Sequence, residues 1–292
     1  MRALLSIALA TLPLTSLGNA SVSAMQAAPA AAPASPYSYA DIADLASAAP
    51  MTVHARIHKA TSLKAEQAPG LAAGRARLYV EADVISLIRG SGPLAARINY
   101  LVDLPLAANG KAPKLKRKQP VLIFARPVAG PAAGTNSTAS VQLVAPDAQL
   151  DWDPATEARL RAILTEMVKP GAPPAITGIA SGFHVPGTLP GEGETQLFLD
   201  TRTGDPVSLT ILTAADGSRR WSAAFGEIVD ESTDVPARDT LAWYRLACGL
   251  PRALPLDRLG GTSPADRQKA ATDYRAVLGA LGECTRTPPP GV

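Results

Sequence analysis

The 292-residue chain predicts an α+β, β-rich protein: a small five-stranded barrel or sandwich, followed by an antiparallel sheet packed with two C-terminal helices. Three observations carry this. Five apolar runs between residues 53 and 145 have strand character and are separated by Gly/Pro-rich connections. Residues 207–228 read as a hairpin around an Asp-Gly turn. Two apolar helical stripes close the chain, at 240–248 and 263–281.

The chain begins MRALLSIALATLPLTSLGNASVSA. Arg2 supplies a short positive region, residues 3–17 are apolar, and Val22-Ser23-Ala24 offers small residues for cleavage, with Ala20 as an alternative. This layout predicts a signal peptide at 1–24. The apolar run is short of the ~20 residues that span a bilayer, and no later stretch is apolar and long enough to do so. Residues 25–36, rich in Ala and Pro, have nothing to bury and read as a tether.

Beyond residue 24 the chain holds 27 basic and 25 acidic side chains, a net charge of +2. Residues 37–150 carry +6 and residues 151–292 carry −4. The near-neutral total argues against nucleic acid as the main partner. The opposite halves fit two domains that attract each other, or separate polar partners. The expected division is a barrel-like domain at 37–150, an α+β domain at 151–287 and a disordered tail at 288–292.

In chain order, Ser38 can cap a helix at 39–47 that Pro50 ends. Strands follow at 53–57, 76–84, 98–104, 121–125 and 140–145. Their number and spacing resemble an OB-type barrel over residues 50–146, a likeness of architecture that implies no function. Asp153-Pro154 starts a helix with Leu160, Ile163, Leu164 and Met167 on one stripe, and Pro170 stops it. The segment PGAPP at 170–174 has the composition of a boundary. Further strands are expected at 175–185, 195–200, 207–213 and 219–228. For the last two, a three-residue Ala215-Asp216-Gly217 loop pairs Ile211 with Trp221, Leu209 with Ala223 and Val207 with Phe225. That register puts the large apolar residues on one face, whereas a two-residue loop would slip them apart. Asp239 is expected to cap 240–248. Ser263 with Asp266 approximates a capping box before the stripe Ala270, Tyr274, Val277, Leu278 and Leu281.

Cys248 and Cys284 lie on the apolar stripes of the two closing helices, and an even pair in an oxidising compartment predicts a structural disulfide. His54 and His58 would be about 13 Å apart on a strand, too far to share a metal, and read as surface histidines. Lys111, Lys114, Lys116, Arg117 and Lys118 form a basic loop, a candidate contact for an anionic surface such as lipid headgroups or envelope polysaccharide. The segment SGFHVPGTLPGEGET, 181–195, is the candidate binding loop, with Phe183, His184, Glu192 and Glu194. The acidic cluster Glu227, Asp230, Glu231 and Asp234 lacks calcium-loop spacing. HExxH, P-loop, dinucleotide-glycine and GxSxG patterns are absent, so no catalytic residue, metal or cofactor is assigned.

The expected function is a non-catalytic binding or scaffolding protein of the envelope, periplasmic or secreted, with an unidentified envelope component or protein as partner. The alternative is a hydrolase using His184 with a carboxylate of the second domain. Mass spectrometry of the exported protein is expected to place its N-terminus between Ala20 and Ala27. A mature protein retaining Met1 would refute export by cleavage.

Overall fold

The computed structural model describes residues 35–91, 95–128, 138–226, 235–260 and 263–284. The expected signal peptide, the expected tether to residue 34, the acidic cluster at 227–234 and the expected tail lie outside them.

Helix α1 (Tyr39–Ala48) starts with a full capping box: Asp41 N donates to Ser38 Oγ at 3.1 Å, and Ser38 N donates to Asp41 Oδ2 at 2.8 Å. Ala40, Ala43 and Ala46 are buried together with Ile42 and Leu45, while Asp44 and Ala48 are exposed. The spacing alone predicts one buried face, with Ile42 and Leu45. Instead α1 touches both α2 (Pro154–Met167) and α3 (Leu241–Gly249), so its buried surface is wider than one stripe.

The first sheet contains β1 (Met51–Ser62), β2 (Arg75–Arg89), β3 (Arg97–Pro105), β4 (Pro120–Pro127), β5 (Thr138–Leu143) and β6 (Gln149–Asp151). The order is β1-β2-β3-β5-β4-β6, and β1 also pairs with β4. Five strands therefore close into a ring, with β3 and β5 parallel and the other pairs antiparallel. The expected count of five is corrected to six, because the short β6 adds outside the ring on β4. Three register shifts in the β1–β2 ladder give these long strands the local bends that closure needs. Val53, Ala55 and Ile57 of β1 face inward with Val80, Ile98, Val102 and Ile123. Strand β4 is buried on both faces, which is why VLIFA is an unbroken apolar run.

The second sheet has the order β10-β9-β8-β7, from β7 (Ile176–Pro186), β8 (Gly193–Thr201), β9 (Val207–Thr213) and β10 (Arg219–Phe225). In the β9–β10 hairpin Ile211 pairs with Trp221, Leu209 with Ala223 and Val207 with Phe225, the register of the three-residue loop. Gly217 takes φ 82°, the left-handed position that this loop requires. One face is covered by α3 and by α4 (Pro264–Leu281).

Three of the predicted caps are present: Ser38, Asp153 and Ser263. The fourth is corrected. Thr240, not Asp239, caps α3 by accepting from Trp243 N at 3.2 Å. Asp239 has φ 60°, away from the extended conformation that a cap residue needs. Among the described residues no helix is long and apolar enough to cross a membrane.

Cys248 and Cys284 are joined, with Cα atoms 5.2 Å apart. The Trp243 indole N–H donates to Leu281 O at 2.9 Å and holds the same two helices. Thiol titration of the unfolded, unreduced protein should find about zero free thiols. The double variant Cys248→Ala/Cys284→Ala should lose about 3–4 kcal/mol in urea unfolding, from a sequence separation of 36 residues.

Candidate functional site

The candidate binding loop is mostly strand. Phe183 and His184 lie on β7, Glu194 lies on β8, and only residues 187–192 turn. Glu192 closes that turn itself: its Oε2 accepts from Leu189 N at 3.2 Å and its carbonyl from Gly187 N at 2.9 Å. Because side chains alternate along a strand, Phe183 and His184 face opposite ways. Phe183 and Glu194 share the uncovered face of the second sheet with Val185, Phe198 and Leu212, all three exposed. The Phe183 and Phe198 rings are 6.3 Å apart. His184 faces the helices, with its side chain 3% exposed. The four residues therefore form no single surface.

The structure gives His184 a carboxylate that the sequence did not assign. Asp273 on α4 is fully buried, and its Oδ2 accepts from Thr195 Oγ1 at 2.7 Å. Its Oδ1 accepts from Arg219 Nε at 2.8 Å and from Thr213 Oγ1 at 3.2 Å. Thr195 has spent its one proton on Asp273, so its oxygen accepts from His184 Nδ1 at 2.9 Å, and that nitrogen carries hydrogen. His184 Nδ1 stands 3.7 Å from Asp273 Oδ2. A Cβ at Gly193 would lie 2.5 Å from His184 Cε1, so glycine is needed there for the ring to fit. Asp273 occupies a stripe position, between Ala270 and Val277, and a lone acid on an apolar stripe is the signal that marks it. A His–carboxylate pair sealed this way holds a tautomer and a charge in place. None of the described concavities is lined by His184 or Asp273.

His54 also departs from expectation. It is buried, not on the surface, because β1 lies in the middle of the sheet with α2 over its outer face. Its ring stacks on Trp152 at 4.6 Å, and Nδ1 is 3.3 Å from Glu157 Oε2. Trp152 Nε1 donates to that same oxygen, and Arg161 pairs with Oε1 at 2.7 Å. Burial pushes the His54 imidazole below its ordinary pKa, against the pull of the Glu157 carboxylate. Burial also works to raise Glu157, but the hydrogen bonds from Trp152 and Arg161 hold its carboxyl below the usual range. His54 is thus neutral at pH 7 and Glu157 ionised. His58, further along β1, meets a different carboxylate, Asp83, at 3.1 Å.

A second candidate surface is on the outside of the barrel. A groove of about 590 Å³ crosses β2, β3 and β5. Tyr79 and Leu101 are cross-strand partners in its floor, and Leu101 is 47% exposed. Asn99, Gln142, Ser140 and Arg126 also line it. At one end Arg77 grips Asp103 through two hydrogen bonds of 2.7 Å. Sequence reasoning missed this groove. Its residues are the polar half of ordinary strand alternation, and the parallel pairing of β5 with β3 gathers them. The basic loop precedes β4, where Lys111, Lys114, Lys116, Arg117 and Lys118 are all exposed.

No protein-family model matches the chain, and no curated protein matches it in sequence. Asp273→Ala is expected to cost about 3–5 kcal/mol of unfolding free energy, as for breaking a buried ion pair. It leaves two buried hydroxyl donors and Arg219 without their acceptor. Urea unfolding that shows a loss below about 1 kcal/mol would mean that the second sheet does not depend on this carboxylate.

Proposed function

We propose that the chain is an exported, non-catalytic binding protein of the envelope, periplasmic or secreted, and that its ligand is an extended, largely neutral glycan. The supporting observation is the groove across β2, β3 and β5. Tyr79 and Leu101 offer a flat apolar floor to the C–H face of a sugar ring, and Asn99, Gln142, Ser140 and Arg126 offer hydrogen bonds to its hydroxyls. A phosphate backbone fits less well. Of the two arginines in the groove, Arg77 is already committed to Asp103.

The closed ring, with β3 parallel to β5, supports reading the barrel as OB-like. In that architecture the β2–β3 face takes oligonucleotides and oligosaccharides, an argument from fold-level analogy. We read residues 37–150 and 151–287 as two domains sharing the helices between them. His184 serves the second domain as a structural residue in this reading, and none of the described concavities favours the hydrolase alternative.

Calorimetric titration with soluble fragments of envelope polysaccharide should show saturable binding. Tyr79→Ala should weaken it about tenfold, a loss of roughly 1.4 kcal/mol, without moving the thermal midpoint. Failure of every glycan to bind, or equal binding by Tyr79→Ala, would overturn the reading. Tighter binding of single-stranded nucleic acid at physiological salt would do the same.

A further inference from the structure

The five cations of the basic loop do not act as one group. Arg117 and Lys118 line a cleft of about 260 Å³, and the other three do not. The cleft also receives Arg56 and His58 from β1 and Asp83 from β2. Arg56 and His58 stand two residues apart on one strand, so both side chains emerge on the outer face. The ladder places Arg56 opposite Asp83 on one side and Pro120 on the other, and this brings the end of the basic loop beside them.

The backbone at the cleft is unusual. Lys118 has φ 65°, a left-handed conformation rare for a residue with a Cβ. Two hydrogen bonds hold it there: Lys118 N donates to Ile57 O at 2.7 Å, and Ile57 N donates to Gln119 O at 2.9 Å. Turn and strand are thus locked together, which fixes where Arg117 and Lys118 stand relative to Arg56.

Asp83 is the one carboxylate in the lining, and it is already answered. Arg97 Nε and Nη2 lie 2.8 and 2.7 Å from its Oδ1, and His58 Nδ1 lies 3.1 Å from its Oδ2. Among the described residues, Arg56, Arg117 and Lys118 make no ion pair with any carboxylate. Three cations from two segments of chain therefore converge on a small concave space whose one acid is already paired with Arg97 and His58. Guanidinium forks together with an ammonium suit a compact tetrahedral oxyanion, which offers acceptor oxygens in several directions.

We propose that this cleft is a phosphate-group site, used either by free phosphate or by the headgroup of an anionic lipid. It is separate from the glycan groove and does not depend on it.

The test uses the mature chain at low ionic strength. Inorganic phosphate is titrated calorimetrically, and sedimentation is followed with phosphatidylcholine vesicles with and without phosphatidylglycerol. Three variants are compared with the wild type. Arg56→Gln/Arg117→Gln removes two cations from the cleft. Lys118→Gly removes the third and relieves the backbone, so it folds at least as well as the wild type. Lys111→Gln/Lys114→Gln removes the same charge outside the cleft. We expect one saturable phosphate-group site, weakened about tenfold or more by the cleft double and clearly by Lys118→Gly, and changed by less than about twofold in the control. Phosphatidylglycerol-dependent sedimentation lost in the cleft variants identifies the lipid source. Phosphate binding without sedimentation identifies the free ion. Absence of both kinds of binding overturns the proposal, and so does equal weakening by the cleft and control doubles, which is diffuse electrostatics. Tyr79→Ala should retain phosphate binding, so the two readings fail separately.

Discussion

Asp273 sits at zero exposure on a helix whose other inward residues are apolar, and an ionised carboxylate cannot stay there without partners. The second half of the molecule is arranged to supply them. Thr195 comes from β8, Thr213 from β9 and Arg219 from β10, while His184 on β7 bonds to Thr195. One side chain on α4 thereby reaches all four strands. Apolar packing between a helix and a sheet tolerates sliding, but a carboxylate that must meet one guanidinium and two hydroxyls does not. The register of the sheet and the rotation of α4 about its own axis are fixed by the same contact. Gly193 belongs to the same constraint, since a side chain there would displace the His184 ring.

The elements that could be read from sequence are those whose causes are local. The caps at Ser38, Asp153 and Ser263 depend on three or four consecutive residues, and the β9–β10 register depends on a turn of three. The cysteine pair needed only two stripes and their phase. What escaped sequence reasoning depends on partners far along the chain. Closure of the barrel comes from β1 meeting β4, about 70 residues later, and the parallel pairing of β5 with β3, about 40 residues apart, brings Gln142 to the face that carries Tyr79 and Leu101. His54 has the composition of a surface residue on an alternating strand, and it becomes buried because Trp152 and α2 lie over it. The 181–195 segment misled by its glycines and prolines. Most of it extends β7 and β8, and the alternation of those strands splits Phe183 from His184. Of its candidates, Phe183 and Glu194 share a face, His184 belongs to the interior and Glu192 to its own turn.

Strand β2 links the two candidate ligand surfaces. Its outward residues run Arg77, Tyr79, Glu81, Asp83 along one line, while Leu78, Val80 and Ala82 fill the barrel. The groove takes the first two and the basic cleft takes the last. Both ion pairs that flank this line, Arg77 with Asp103 and Arg97 with Asp83, cross between β2 and β3. They neutralise acids that would otherwise repel an anion, and they stiffen a face that carries little apolar burial of its own.

The position of Asp273 and Cys284 along the chain has a consequence for how the molecule is assembled. The cover of the second sheet is encoded in residues 241–284: α3, α4, the buried acid and both cysteines of the disulfide. Until that stretch has emerged, His184, Thr195, Thr213 and Arg219 line a sheet face with no counterpart, and α1 lacks its contact with α3. A chain made from its N-terminus can close the barrel first, but it must hold the second sheet open until α4 has emerged. The cystine then acts as a latch, shut after the final helix has docked. Truncation before α4 would therefore leave a ring with an unfinished companion, and not merely a shorter version of the whole.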